Sequence, residues 1–154
     1  MDDRAILELL QAMVRAPSHP GVTRQEEATA RALEAYLGRH GITCELVEVR
    51  EGRPNVIATL EGRAPGPHLL LCGHTDTVPP NAGSQADFFS AAVENGRVLG
   101  RGTVDMKGAL AAMAGALADI RGSGGPASGR ITLAAVIDEE MESLGCLLYT
   151  SPSP

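Results

Sequence analysis

Tryptophan is absent from this 154-residue chain, and tyrosine and phenylalanine number only two each. The core must therefore be built from Leu, Val, Ile and Ala, and recognition of nucleic acid by base stacking has almost no platform. Positive charge is also short: 13 Lys and Arg face 19 Asp and Glu, for a net charge of −6. Such a chain repels a phosphate backbone, which excludes nucleic acid as a partner. Cysteine is sparse and odd in number, at Cys44, Cys72 and Cys146, without CxxC spacing. Neither a disulfide framework nor a structural zinc knuckle is indicated, and a reducing cytoplasm fits. No apolar run approaches the about 18 residues of a membrane span. The opening Met-Asp-Asp-Arg also lacks the basic and apolar stretches of a signal peptide. The reading is a soluble cytoplasmic protein with no membrane partner.

What is present is ordinary for a folded domain: 44% hydrophobic and 21% charged residues, in a length suited to about one domain. Apolar Ile6, Leu7, Leu9, Leu10, Met13 and Val14 recur at helical spacing over Asp3–Arg15, before Pro17 and Pro20. Thr23 and Glu26 have capping-box spacing ahead of a second helical stretch that stops at Gly41. Ile42–Val49, Asn55–Leu60 and His68–Cys72 read as strands, the last as fully buried. Pro79–Ser90 reads as a loop, and Asn95-Gly96 as the turn of a hairpin between Val93 and Val98. Lys107–Ile120 is an Ala-rich helix, Gly122–Gly129 a flexible surface linker, and Arg130–Ile137 another apolar strand. Helices alternating with apolar strands predict an α/β fold, a layered sheet flanked by helices.

Three segments set acids and a histidine at strand ends or at the entry to a helix, where open α/β sheets place their ligands. In Gly73-His74-Thr75-Asp76-Thr77-Val78, residues two apart in extended backbone share a side, so His74 could ligate a metal while Asp76 holds its other nitrogen. A loop histidine beside a turn aspartate is the simpler alternative. In Gly100-Arg101-Gly102-Thr103-Val104-Asp105-Met106-Lys107-Gly108, Asp105 stands where a helix cap would. The glycines framing it are left unexplained by capping, and a free carboxylate can bridge two divalent ions about 3.5–4 Å apart. Asp138-Glu139-Glu140 follows the last strand. Three adjacent carboxylates need solvent, a cation or shifted pKa values, and neighbours that diverge could divide the work of metal ligand and general base.

Taken together, GHTDTVP, GRGTVDMKG and DEE, in this order and spacing, resemble the M20 family of metallopeptidases. That family includes acetylornithine deacetylase, succinyl-diaminopimelate desuccinylase and carboxypeptidase G2-like enzymes, and the resemblance covers Met1 to Gly145. It implies a zinc-peptidase-like catalytic domain with two divalent metal ions, zinc by preference, with cobalt or manganese compatible with the same ligands. His74 would ligate one ion, with Asp76 orienting it, Asp105 would bridge the two, and Glu140 would ligate the second. Glu139 would be the general base. The implied reaction is hydrolysis of an amide bond in an N-acyl amino acid or a short peptide, with the N-acyl amino acid first.

Departures from the family pattern limit that expectation. Its members are longer, with a lid domain that often mediates homodimerisation; residues 1–145 correspond to the N-terminal part of the catalytic domain alone. The resemblance also calls for a more distal acid and a late histidine as further ligands, whereas Glu142 is the only acid after Glu140. A site short of ligands binds metal weakly, so the isolated chain is expected to be inactive or nearly so. Residues 146–154, ending Ser-Pro-Ser-Pro, read as a non-native or disordered tail, with natural truncation as the alternative. Dipeptidase or carboxypeptidase activity, a single-metal hydrolase using His74, Asp105 and Glu140, and a non-catalytic binding domain stay open as rivals. His19, His40 and His68 are read as surface or structural, Phe88 and Phe89 as anchors of their loop, and Cys72 as a small core residue.

Overall fold

The computed structural model describes residues 2–83 and 87–150. Helix α1 (Asp3–Arg15) begins where the Asp2 carboxylate accepts a hydrogen bond from the Ala5 amide, and it buries Leu9, Met13 and Val14. Helix α2 (Glu27–Arg39) buries Ala30, Leu33, Tyr36 and Leu37. The expected capping box does not form. Glu26 occupies the cap position without capping, because its carboxylate is taken by Arg53 at 2.6 and 2.7 Å.

Four strands make the main sheet: β1 (Cys44–Arg50), β2 (Arg53–Glu61), β3 (His68–His74) and, after a small hairpin and a helix, β6 (Arg130–Val136). Their order is β1-β2-β6-β3, with β1 antiparallel to β2, β2 antiparallel to β6, and β3 parallel to β6. Strands β4 (Ala92–Glu94) and β5 (Arg97–Leu99) form the hairpin. Asn95 and Gly96 both take positive φ at its turn, as a two-residue loop of this kind requires. Helix α3 (Lys107–Gly122) then leads back to β6, and α4 (Leu144–Thr150) ends the described chain. The expected α/β class and flanking helices are as found.

Alternate residues of the strands set the layers. Val56, Ala58, Leu60, Leu133 and Ala135 join Leu33, Leu37, Leu110, Ala114 and Leu117 in one core between the sheet and the first three helices. Small residues on α3 allow close approach to α1: a Cβ on Gly115 would press on the Ile6 side chain.

Three expectations need correction. Strand β3 is not fully buried, because it is an edge strand with β6 as its only hydrogen-bonded neighbour among the described residues; Leu69 and Leu70 are 54% and 53% exposed. Cys72, on the same strand, is exposed and not a core residue. The connection read as a flexible linker is hydrogen-bonded to the segment before β3, through Gly62 N to Gly129 O and Gly129 N to Ala64 O. Part of the expected loop, residues 84–86, and part of the expected tail, residues 151–154, lie outside the described residues; residues 146–150 are within α4. No helix among the described residues is long and apolar enough to cross a membrane.

Candidate metal centre

The parallel pairing of β3 with β6 brings their carboxyl ends together, and Thr75 prolongs the alignment by donating from its amide and hydroxyl to the Val136 carbonyl. His74 closes β3, while Asp138, Glu139 and Glu140 leave the end of β6 beside it. The third segment arrives at the start of α3. Its aspartate is not a helix cap: Met106 holds that position, and Asp105 Oδ1 lies 3.1 Å from His74 Nε2. The Asp105–Met106 peptide bond is cis.

His74, Asp105 and Glu140 each present one ligand atom, and the three atoms lie within 4.8 Å of one another. An imidazole with two carboxylates is a nitrogen and oxygen donor set that suits zinc, cobalt and manganese alike, so the residues present fit a divalent cation. Glu139 Oε2 stands 3.7 Å from His74 Nε2, its side chain 49% exposed.

Asp76 does more than face the histidine. The His74 Nδ1 lies 3.1 Å from the Asp76 backbone carbonyl and 3.5 Å from its carboxylate. Both carboxylate oxygens accept backbone amides at 3.0 Å, Oδ1 from Glu139 and Oδ2 from Glu140. One buried residue therefore orients the imidazole and holds the peptide of the two glutamates.

The charges are strongly coupled. Burial pushes the His74 imidazolium down, but the carboxylates of Asp76 and Asp105 more than offset it, and its pKa is raised to about 9. Burial pushes Asp76 up, yet the bonds from His74 and from the Glu140 and Glu139 amides leave its pKa lowered. Glu140 is raised, by burial first and then by repulsion from Asp105. A cation among these groups would relieve the repulsion and displace the histidine proton.

Two charged residues behind the centre, Lys107 and Arg53, have roles that the sequence did not suggest. The Lys107 ammonium is fully buried and donates to the carbonyls of Met13 at 2.8 Å and Ala16 at 2.9 Å, tying the end of α1 to the start of α3. Burial lowers its pKa to about 8 against the opposing pull of Asp76 and Glu26. Its place in the Asp105-Met106-Lys107 segment was the available signal. Arg53 bridges Glu26 and Asp138, with its Nη2 2.6 Å from one and 2.9 Å from the other. No local spacing links residues so far apart in sequence.

The remaining histidines lie away from the centre: His19 stacks on Phe89, His40 packs at a tilt against Tyr36, and His68 meets the Thr132 hydroxyl. Phe88 lies under the Arg101 guanidinium, and its carbonyl accepts the Arg101 amide.

Comparison with known proteins gives one family. The succinyl-diaminopimelate desuccinylase of Gluconacetobacter diazotrophicus is 41% identical over 138 residues, covering 87% of this chain and 34% of that protein. The chain thus spans about a third of the length of the curated relatives it matches. Among solved structures, the M20 family metallo-carboxypeptidase Sso-CP2 from Sulfolobus solfataricus superposes with a TM-score of 0.72 at 26% identity, over 91% of this chain and 31% of that one. The YXEP protein of Bacillus subtilis, described as a dinuclear metal binding peptidase from the M20 family, shares the fold with a TM-score of 0.61 at 21% identity, over 91% of this chain and 37% of that one. The profile of Peptidase family M20/M25/M40 matches residues 70–150, more than half of the chain and a stretch holding His74, Asp76, Asp105, Glu139 and Glu140. The chain belongs to that family.

Proposed function

We propose that this chain carries part of the dinuclear zinc centre of an amide-bond hydrolase acting on N-acyl amino acids, of the deacetylase or desuccinylase type. The observation that carries the reading is the meeting of His74, Asp105 and Glu140 within 4.8 Å at the carboxyl ends of two parallel strands. When bound, the metal ions supply Lewis acidity to the scissile carbonyl and to the attacking water.

The chain's own residues have separable tasks in this reading. His74 offers Nε2 as a ligand because its Nδ1 is engaged by Asp76, the arrangement that fixes a ligating imidazole. Asp105, with 72% of its side chain exposed and Oδ1 toward His74, would hold metal through its carboxylate, and Glu140 would ligate from the opposite segment. Glu139 is close to the ligands but outside the ligand cluster, which suits it to take a proton from water and return it to the leaving amine. The desuccinylase relatives at 41% identity support an N-succinyl amino acid as substrate. The resemblance to a metallo-carboxypeptidase, at 26% identity, supports peptide cleavage as the second reading. With ligands still to be supplied from outside this stretch, the chain alone binds metal weakly and shows little or no turnover.

A chimera tests the reading: residues 1–145 of this chain joined to the remainder of the Gluconacetobacter desuccinylase. Zinc-loaded chimera should hydrolyse N-succinyl amino acids faster than dipeptides. Glu139→Ala should abolish turnover with zinc retained, and His74→Ala should lower the zinc content. A folded, zinc-loaded chimera without turnover on either substrate class would favour the non-catalytic alternative, and near-normal rates in Glu139→Ala would remove it as the base.

A further inference from the structure

The segment that carries Glu139 and Glu140 is held at more places than its length requires. At its near end, buried Asn55 accepts the Ile137 amide at 2.9 Å and donates to the Gly145 carbonyl at 3.0 Å, closing the base of the loop. At its tip, Asp76 accepts the amides of Glu139 and Glu140. Between these lies Asp138, with φ at +65, a left-handed conformation that aspartate tolerates better than most side chains and that the surroundings here hold in place. Its carbonyl accepts the Ser143 amide at 2.6 Å, and its Oδ2 accepts the Glu142 amide at 3.3 Å.

The constraint comes from β2. Arg53 and Asn55 are two residues apart on that strand and so point to the same side, toward this loop. The Arg53 guanidinium donates through Nε and Nη2 to the two oxygens of Glu26, which is fully buried, and through Nη2 to Asp138 Oδ1 at 2.9 Å. The Arg53 and Asp138 side chains are themselves only 13% and 7% exposed. A forked guanidinium holding two carboxylates fixes direction as well as distance, which a point charge does not. Removing it would take from two buried carboxylates the guanidinium that both of them share.

We propose that Arg53 is a positioning residue of the metal centre: braced by Glu26, it pins Asp138 in its left-handed turn and thereby sets where Glu139 and Glu140 stand relative to His74 and Asp105. The link to metal binding rests on the proposed role of Glu140 as a ligand. The holding of the loop does not.

The test reads the two parts separately on the chain itself. Amide hydrogen exchange followed by NMR should show the Glu139 and Glu140 amides exchanging about tenfold or more faster in Arg53→Met, with Val56 and Leu133 within about twofold of the parent. Arg53→Lys should restore part of the protection. Asp138→Asn, which keeps a residue tolerant of left-handed backbone, should loosen the same two amides and stands in if Arg53→Met does not fold. Unchanged protection at Glu139 and Glu140, or a parallel rise across the core strands, would overturn the proposal. Titration with zinc chloride then reports on the centre: affinity falling in step with the loosened amides supports the full proposal. Loosened amides in the chain, together with a folded chimera of residues 1–145 and the remainder of the desuccinylase that takes up no zinc, would uphold the positioning and refute the metal reading.

Discussion

At the scale of single residues, the histidine of the centre makes its own pH prediction. His74 is raised to about 9 by carboxylates that overcome its burial, so in the metal-free chain it stays protonated through neutrality. Because the folded value lies above the ordinary 6.5, the histidine stabilises the fold fully below about pH 6.5, and that contribution fades as pH rises through about 9. Metal binding runs the other way, since a ligating imidazole must be neutral. Zinc affinity should climb by about tenfold per pH unit between pH 6.5 and 9 and then level off, as read by competition with a chelator of known proton dependence. A flat profile over that range would show that His74 is not a ligand. His74, Asp105 and Glu140, which the fold brings together, were legible as candidates because each lies at a strand end or helix entry within a short segment. The tie from the Asp76 carboxylate to the Glu139 and Glu140 amides was not, since it joins backbone groups more than sixty residues away. Glu26 was misread for a related reason: capping-box spacing describes what a glutamate can do locally, and a guanidinium brought in by β2 competed for it and won.

At the scale of elements, two helical glycines separate propensity from packing. Gly38 on α2 is exposed, and a Cβ there would meet nothing within 4 Å. Gly38→Ala should therefore stabilise the chain by about 0.5–1 kcal/mol through lost backbone freedom in the unfolded state. Gly108, in the first turn of α3, has the backbone carbonyl of Thr103 where a Cβ would go. That carbonyl belongs to the loop delivering Asp105, so Gly108→Ala should destabilise by about 1–3 kcal/mol and weaken zinc binding as well. Urea denaturation of both variants checks the pair, and a gain in stability from Gly108→Ala would show that the loop can yield. Element positions themselves were legible: the 3.6-residue period gave α1, and the Asn95-Gly96 turn gave the hairpin. Those patterns reflect local backbone chemistry, which the sequence carries without help from the rest of the fold.

At the scale of the whole molecule, what the sequence could not convey is which strand lies at an edge. A run such as Leu69-Leu70-Leu71-Cys72 has the composition of a strand covered on both faces, and composition is blind to neighbours. Among the described residues, the two edges of the sheet differ in kind. Strand β1 carries Glu45, Glu48 and Arg50, charges that discourage pairing with another chain. Strand β3 carries no Asp, Glu, Lys or Arg, and Leu69 and Leu70 stand more than half exposed beside exposed Cys72. Leu147 on α4 adds to the exposed apolar surface of the molecule. Among the described residues this edge is open and apolar over Leu69–Cys72, a template for strand addition, so this chain should self-associate, with a weight-average mass in sedimentation equilibrium that rises with concentration. Leu70 is level with Thr132 in the sheet, outside the main core cluster that receives its neighbour Leu71. Leu70→Lys should accordingly return the chain toward monomer with little change in its urea midpoint, whereas a parent chain that stays monomeric across the whole concentration range would show that the β3 edge is protected.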